Sequence, residues 1–191
     1  IIAGFNVSCV GDNRSYSYLP SRNGGTLNDK VAKHILKWID PDYVAYSWSE
    51  RGSDERQYCA PGVDLPIASI MRTKYGEYPE YNTSLDDLKN VVTPDGLEGG
   101  YEALRLSIEN NCYPKVTVLG EPQLGKRGLY PTISAKNSAS KTRLLTDLIT
   151  WSDGNHSLLE IAEKSNVPIW ELYPLIKKLQ TSNLLVLTDE R

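Results

Sequence analysis

The sequence predicts an α/β domain followed by a small, separately built helical module, and three observations carry that prediction. Short β-type runs alternate with an amphipathic helix over the first fifty residues, the pattern of a sheet covered by helices. After residue 140 the apolar spacing becomes helical almost throughout. Between the two lies a Gly- and Pro-rich stretch, "EPQLGKRGLYPTIS" (121–134), running into the polar "AKNSASK" (135–141). This composition shift sets the expected boundary, with domains over 1–134 and 135–191.

The elements follow in order. "FNVSCV" (5–10) is a β-type run ended by the turn cluster Gly11-Asp12-Asn13. A polar, tyrosine-bearing loop leads to "TLNDKVAKHILKWI" (26–39), where Thr26 is an N-cap, Asp29 stands three residues on, and Leu27, Val31, Ile35, Leu36 and Ile39 share one helical face. Pro41 ends that helix, and "YVAYSW" (43–48) reads as the next strand. "SERGSDERQYCAPGVDLP" (49–66) is long and polar for a connection, hence a functional-loop candidate. "IASIMR" (67–72) is a further strand, helices are expected from 84–90 and over 99–111, and "KVTVLG" (115–120) is expected to close the α/β part. Three helices (141–153, 157–165, 169–182) and the strand "LLVLT" (184–188) outline a winged helix-turn-helix, with Ser157 and Glu160 as a capping box.

Composition narrows the function classes. The chain has 21 Lys and Arg against 24 Asp and Glu, a formal charge of -3, and so no basic footprint for a phosphate backbone. No apolar run approaches the ~20 residues of a membrane span. Cys9, Cys59 and Cys112 form no CxxC pair and read as reduced thiols, which fits a cytoplasmic protein. The opening "IIAGFNVSCV" is strand-like and lacks an initiator Met, so the chain is read as a fragment beginning inside a domain. Phosphate-loop, dinucleotide, GxSxG and HExxH signatures are absent. His34 is expected at a surface or boundary, and His156 in a structural turn.

Several polar residues are candidates for chemistry. Asp12 follows a strand end, where α/β proteins place ligands, and is either a divalent-metal ligand or an Asx-turn residue. Asp54 and Glu55, flanked by Arg51 and Arg56, are either a site for a charged substrate terminus or a solvated loop. Asn82, in "EYNTSLDDL", is a cap or turn residue, a glycosylation acceptor or a metal-site position.

"GSDERQYCAPGVDLP" resembles the stretch of co-catalytic zinc aminopeptidases in which a Ser-Asp pair precedes an aromatic, Gly-Val/Ile and Pro. That family follows it with a Tyr-His-Thr/Ser segment leading to an Asp; here Tyr81, Thr83, Ser84 and Asp86 match, with Asn82 in the place of the histidine. Together with "SCVGDNRSYSYLPSR", "MRTKYGEYPEY" and "EPQLGKRGLYPT", these motifs resemble a bacterial group of aminopeptidase-like proteins bearing a C-terminal winged helix, over nearly the whole chain.

The resemblance implies the C-terminal half of a three-layer, mixed-sheet domain and a zinc-dependent hydrolase of a peptide or amide bond. Three zinc ligands and the catalytic Glu would lie upstream of residue 1. Asp12 would be the fourth ligand, although the family places that Asp nearer the strand, at about Cys9, and Asn82 would hold the position of the fifth. A carboxamide is a poorer zinc donor than imidazole, so a site with one metal, a harder metal, or a degenerate binding protein are the alternatives. Asp54, Glu55, Arg72 and Tyr81 are the substrate-binding candidates: Asp54 and Glu55 for an amine, Arg72 or Lys126-Arg127 for a carboxylate, with the 51–62 loop shaping the pocket. The winged helix has six Lys or Arg and seven Asp or Glu over 141–191 and begins its third helix "IWELYP", so nucleic acid is not the expected partner. Packing or homo-oligomerisation through Trp170 and Tyr173 is expected instead.

Overall fold

The computed structural model describes residues 1–108, 112–120, 122–129 and 138–188. They fall into two compact units, Ile1–Glu109 and Asn110–Arg191. The boundary expected between 134 and 135 lies outside the described residues.

In the first unit four strands, β1 (Gly4–Asn6), β2 (Ser17–Leu19), β3 (Val44–Ala45) and β4 (Ile67–Met71), form a mixed sheet in the order β1-β4-β2-β3. Central β4 runs parallel to β1, with Gly4 opposite Ile67, and antiparallel to β2, with Ser17 opposite Met71. All five residues of β4 are buried, as expected of a strand covered on both faces, and all but Ser69 are apolar. Helices α1 (Leu27–Ile39) and α3 (Pro94–Ile108) pack on each other and on β4, and the one-turn α2 (Glu55–Tyr58) also packs on β4. Ala32 and Leu36 of α1 meet Tyr18, Ala68, Ile70 and Ala103 in one core. His34, expected at a boundary, is buried, because it lies on the helix beside the Val31–Ile35 stripe and is covered with it.

This unit departs from the sequence expectation in several places: the strand expected over 43–48 is confined to Val44–Ala45, and the 49–66 connection holds α2. The "tyrosine-bearing loop" contains β2, fully buried between β4 and β3. Its polar atoms are satisfied from distant parts of the chain: Ser17 Oγ donates to the Arg72 carbonyl at 2.6 Å and Tyr18 OH to Asp29 Oδ1 at 2.7 Å. No helix forms over 84–90. There the Asp87 carboxylate accepts the Lys89 and Asn90 amides at 2.9 and 2.8 Å, offering the backbone a turn in place of a helix. The helix begins at Pro94, where a missing amide costs nothing.

Asp29 ties β2, the 21–26 turn and α1 together. Its carboxylate is buried and accepts hydrogen bonds from Tyr18 OH, from the amide and hydroxyl of Ser21, and from the amide and hydroxyl of Thr26. Burial alone would raise its pKa, but the bonds from Ser21, Thr26 and Tyr18 outweigh that and hold it below the ordinary value. A depressed carboxylate pKa contributes stability above the unfolded value of about 3.9, which is lost as pH falls through the folded value. Asp29→Asn is therefore expected to cost about 2–3 kcal/mol at neutral pH and to reduce the acid-side loss of stability. Urea unfolding at stepped pH checks this, and parallel pH profiles for the two proteins would remove Asp29 from the linkage.

The second unit contains β5 (Tyr113–Val116), α4 (Ser138–Trp151), α5 (Leu158–Ser165), α6 (Tyr173–Thr181) and β6 (Leu185–Thr188). β5, expected to close the α/β sheet, pairs antiparallel with β6, Val116 opposite Leu185. Leu145, Leu148, Leu158, Ile161, Ile169, Leu172 and Leu179 are among its buried apolar residues. Ser157 caps α5, its Oγ accepting the Glu160 amide at 3.3 Å while Glu160 Oε2 accepts the Ser157 amide at 2.8 Å. Asn166 ends α5 in the left-handed region, and α6 follows a 3₁₀ turn over Ile169–Glu171. The segment expected as one helix, 169–182, thus divides ahead of Pro174. His156 sits in its expected turn, Nδ1 3.1 Å from Asp153 Oδ2 and its ring edge-on to Trp151.

Candidate functional site

The exit of β1 forms one wall of a pocket. Cys9 adopts a left-handed φ of 49°, unusual for a residue with a side chain, at a bend that follows β1. The turn is held by the Arg72 amide donating to the Cys9 carbonyl at 2.8 Å and the Thr93 amide to the Gly11 carbonyl at 2.9 Å. Against it lie the first two turns of α3, close enough at Gly96 and Gly100 that only glycine fits. A Cβ on Gly96 would stand 2.1 Å from the Gly11 oxygen, and one on Gly100 2.3 Å from the Val10 oxygen.

The pocket encloses about 360 Å³, at the carboxyl end of a parallel strand, where open α/β sheets place ligands. Val10, Val91, Val92 and Leu97 give it an apolar lining; Cys9, Asp12, Tyr78, Tyr81 and Asp86 supply the polar groups. Tyr78 OH donates to Asp86 Oδ2 at 3.2 Å and stands 4.0 Å from Cys9 Sγ. Burial, then Cys9 and Asp86, push the Tyr78 phenol well above its ordinary pKa, so it stays a donor. The Tyr78 and Tyr81 rings meet edge-on at 5.6 Å, and the Arg14 guanidinium, paired with Glu80 at 3.0 Å, lies over the Tyr78 ring.

Of the residues singled out in the sequence, Asp12 and Tyr81 come together at this pocket. Asp12 is buried and heavily engaged: Oδ1 accepts the Thr73 amide at 2.7 Å, and Oδ2 accepts the Thr73 hydroxyl at 2.7 Å and the Arg14 amide at 2.9 Å. Asn82 is exposed at φ 57°, a left-handed turn position that asparagine tolerates better than most residues. Arg72 is buried under the loop, its Nε donating to the Asp12 carbonyl at 2.9 Å and its guanidinium stacked 3.7 Å from the Tyr16 ring centroid.

Asp54 and Glu55 part company. Asp54 is exposed, whereas Glu55 is fully buried and accepts from Asn6 Nδ2, the Gly52 and Ser53 amides and Tyr75 OH at 2.8–3.0 Å. No residue of the 51–62 loop lines the pocket. Lys126 and Arg127 are exposed in a 3₁₀ turn of the second unit.

Asp86 belongs to the aminopeptidase-like motif but nothing local assigns it a role, and no local pattern marks Tyr78. The density of tyrosines ahead of the acidic run was the signal available.

The donors at the pocket are a poor match for zinc. Asp12 has little coordinating capacity left, Asn82 projects from an exposed turn, and among the described residues no group of three or more His, Cys, Asp or Glu is placed to hold a metal. The described residues do not by themselves fit a zinc centre.

Residues 1–111 match the family model described as a domain of unknown function (DUF4910), and residues 111–187 match a winged helix-turn-helix model. A protein of Clostridium acetobutylicum, provisionally named a polysaccharide biosynthesis protein with aminopeptidase-like domain, is 36% identical over 169 residues, which are 86% of this chain and 38% of that protein. A crystal structure provisionally described as a peptidase, also from Clostridium acetobutylicum, is similar with a TM-score of 0.82 and 32% identity, covering 98% of this chain and 42% of the other. The chain thus spans about two fifths of the length of these relatives. No helix among the described residues is long and apolar enough to cross a membrane.

Proposed function

The chain belongs to the family of the domain of unknown function DUF4910, and we propose that it forms the substrate-pocket part of a peptidase-like hydrolase of a peptide or amide bond. The observation that carries the reading is the pocket at the end of β1, in a chain similar over most of its length to proteins provisionally named for peptidase character. Its four apolar residues suit an aliphatic side chain, and its few polar groups would orient the bond to be cut. We read the first unit as the C-terminal half of a three-layer, mixed-sheet domain. The hydrolytic metal, zinc on the resemblance, would take its ligands from outside the described residues. Asp12 then acts as the clamp that fixes the β1 exit to Thr73, and Asn82 as a turn residue. The winged helix is assigned to protein contacts, its third-helix segment showing Trp170, Glu171 and Tyr173 in place of a basic reading face.

A second reading, a binding protein on the same fold, draws on the occupied Asp12 carboxylate and on asparagine at position 82. One experiment separates the two: the full-length protein, loaded with zinc, is assayed against a panel of dipeptides and aminoacyl amides, with and without chelator. Chelator-sensitive release of the amine product is expected, together with equal metal content in the wild type and Asn82→His. Absence of hydrolysis across the panel from zinc-loaded protein would retire the enzyme in favour of the binding protein.

A further inference from the structure

We infer that Arg72 and Tyr16 form, beside Gly99 of α3, a binding site for a compact carboxylate. Arg72 is not among the residues that line the pocket, and the site does not depend on hydrolysis there. Its side chain is 5% exposed, yet among the described residues no carboxylate pairs with it. A guanidinium buried without a counter-ion is costly, so an anion that reaches it is strongly favoured.

Most of the guanidinium is accounted for. Its face lies on the Tyr16 ring, 3.7 Å from the centroid. Along one edge Nε donates to the Asp12 carbonyl at 2.9 Å and Nη2 to Asn13 Oδ1 at 3.4 Å. The Asp12 carboxylate is turned to Thr73 and the Arg14 amide instead. Nη1 has no acceptor among the described residues, so the end of the fork, made by Nη1 and the second hydrogen of Nη2, is open. Tyr16 supplies a further donor, because its hydroxyl also has no hydrogen-bond partner among the described residues. The two donors converge at Gly99: a Cβ there would lie against the Tyr16 oxygen and 2.9 Å from Arg72 Nη1. Gly99 and Tyr16 are half-buried, and the missing side chain leaves both donors within reach of solvent.

The open end of the fork presents two parallel N–H groups, which match the two oxygens of a carboxylate. Arg72 brings one positive charge, and Asp95 and Glu98 stand close to Gly99 along α3, so a monoanion is favoured over a phosphate dianion. Because Arg72 also holds the Asp12 carbonyl, an anion bound to it fixes the turn that forms one wall of the pocket.

The test uses the full-length protein with acetate and acetamide, probes of one shape and different charge, in calorimetry at constant ionic strength. Acetate is expected to bind at least roughly tenfold more tightly, the scale that separates a charge-assisted pair from a neutral one. Tyr16→Phe keeps the ring on Arg72 and removes the hydroxyl, and should weaken acetate about threefold. Gly99→Ala puts a methyl group at the two donors and should abolish the preference. The atoms that methyl meets are the ends of two side chains, so the variant is expected to fold, which thermal unfolding checks. If it does not fold, Tyr16→Phe decides. Equal binding of acetate and acetamide, a preference that survives in Gly99→Ala, or unchanged acetate affinity in Tyr16→Phe would overturn the site. Tighter binding of inorganic phosphate than of acetate would overturn the carboxylate assignment.

Discussion

Replacing Glu55 by alanine is expected to destabilise the first unit by about 3–5 kcal/mol, while Asp54→Ala, one residue away, changes stability by about 0.5 kcal/mol or less. Glu55 is fully buried, and its carboxylate joins β1 through Asn6, the 52–53 backbone, and the segment that follows β4 through Tyr75. Asn6 and Tyr75 are themselves buried, so alanine leaves two interior donors without their acceptor and opens a void beside them. Asp54 has its side chain in solvent. Urea unfolding of the two variants checks the contrast. A Glu55→Ala protein of native stability with a raised KM would instead make Glu55 a substrate contact.

Gly100→Ala and Gly96→Ala form the second large effect. Alanine in a helix interior ordinarily gains about 1 kcal/mol over glycine. Here the new Cβ would stand 2.3 Å from the Val10 oxygen at position 100, and 2.1 Å and 2.5 Å from the Gly11 and Asp12 oxygens at position 96. The obstructing atoms are backbone, held by the Thr93–Gly11 bond and the Asp12–Thr73 clamp, so no side-chain rotation relieves the overlap. Either α3 or the pocket wall must move, at a net cost of about 3 kcal/mol or more. Because that wall carries Cys9, Val10 and Asp12, ligand binding at the pocket should fall along with Tm. Gly62→Ala is a comparison of opposite origin: nothing lies within 4 Å of its Cβ position, and its φ of 90° alone is the source of any cost. Native Tm and binding in Gly100→Ala would show that the close approach does not constrain the site.

How much of this was legible depended on the length and regularity of each signal. Helix α1 could be read because Leu27, Val31, Ile35 and Leu36 repeat at helical spacing behind Thr26 and Asp29. β4 could be read because four of its five residues are apolar, and the three helices of the second unit because each shows a cap or a periodic face. β2 could not: three residues show no periodicity, and Ser17 and Tyr18 are buried only because Arg72 and Asp29 satisfy them. The expected helix at 84–90 lost to Asp87, whose local hydrogen bonds favour a turn. "SDER" offered two adjacent carboxylates as equals, and nothing in their neighbours distinguished Asp54 from Glu55.

The sequence by itself determined the class of each unit, the helical faces, the winged helix-turn-helix outline and the motifs that carry the aminopeptidase resemblance, because those depend on residues a few positions apart. Only the tertiary structure decided which polar residues are free to meet a ligand. Asp12 is taken by Thr73, 61 residues away, Glu55 by Asn6, 49 away, and Asp86 keeps an open oxygen beside a buried tyrosine. A carboxylate's availability is set by the donors that the fold brings to it, and those donors lie too far along the chain for any local pattern to announce them.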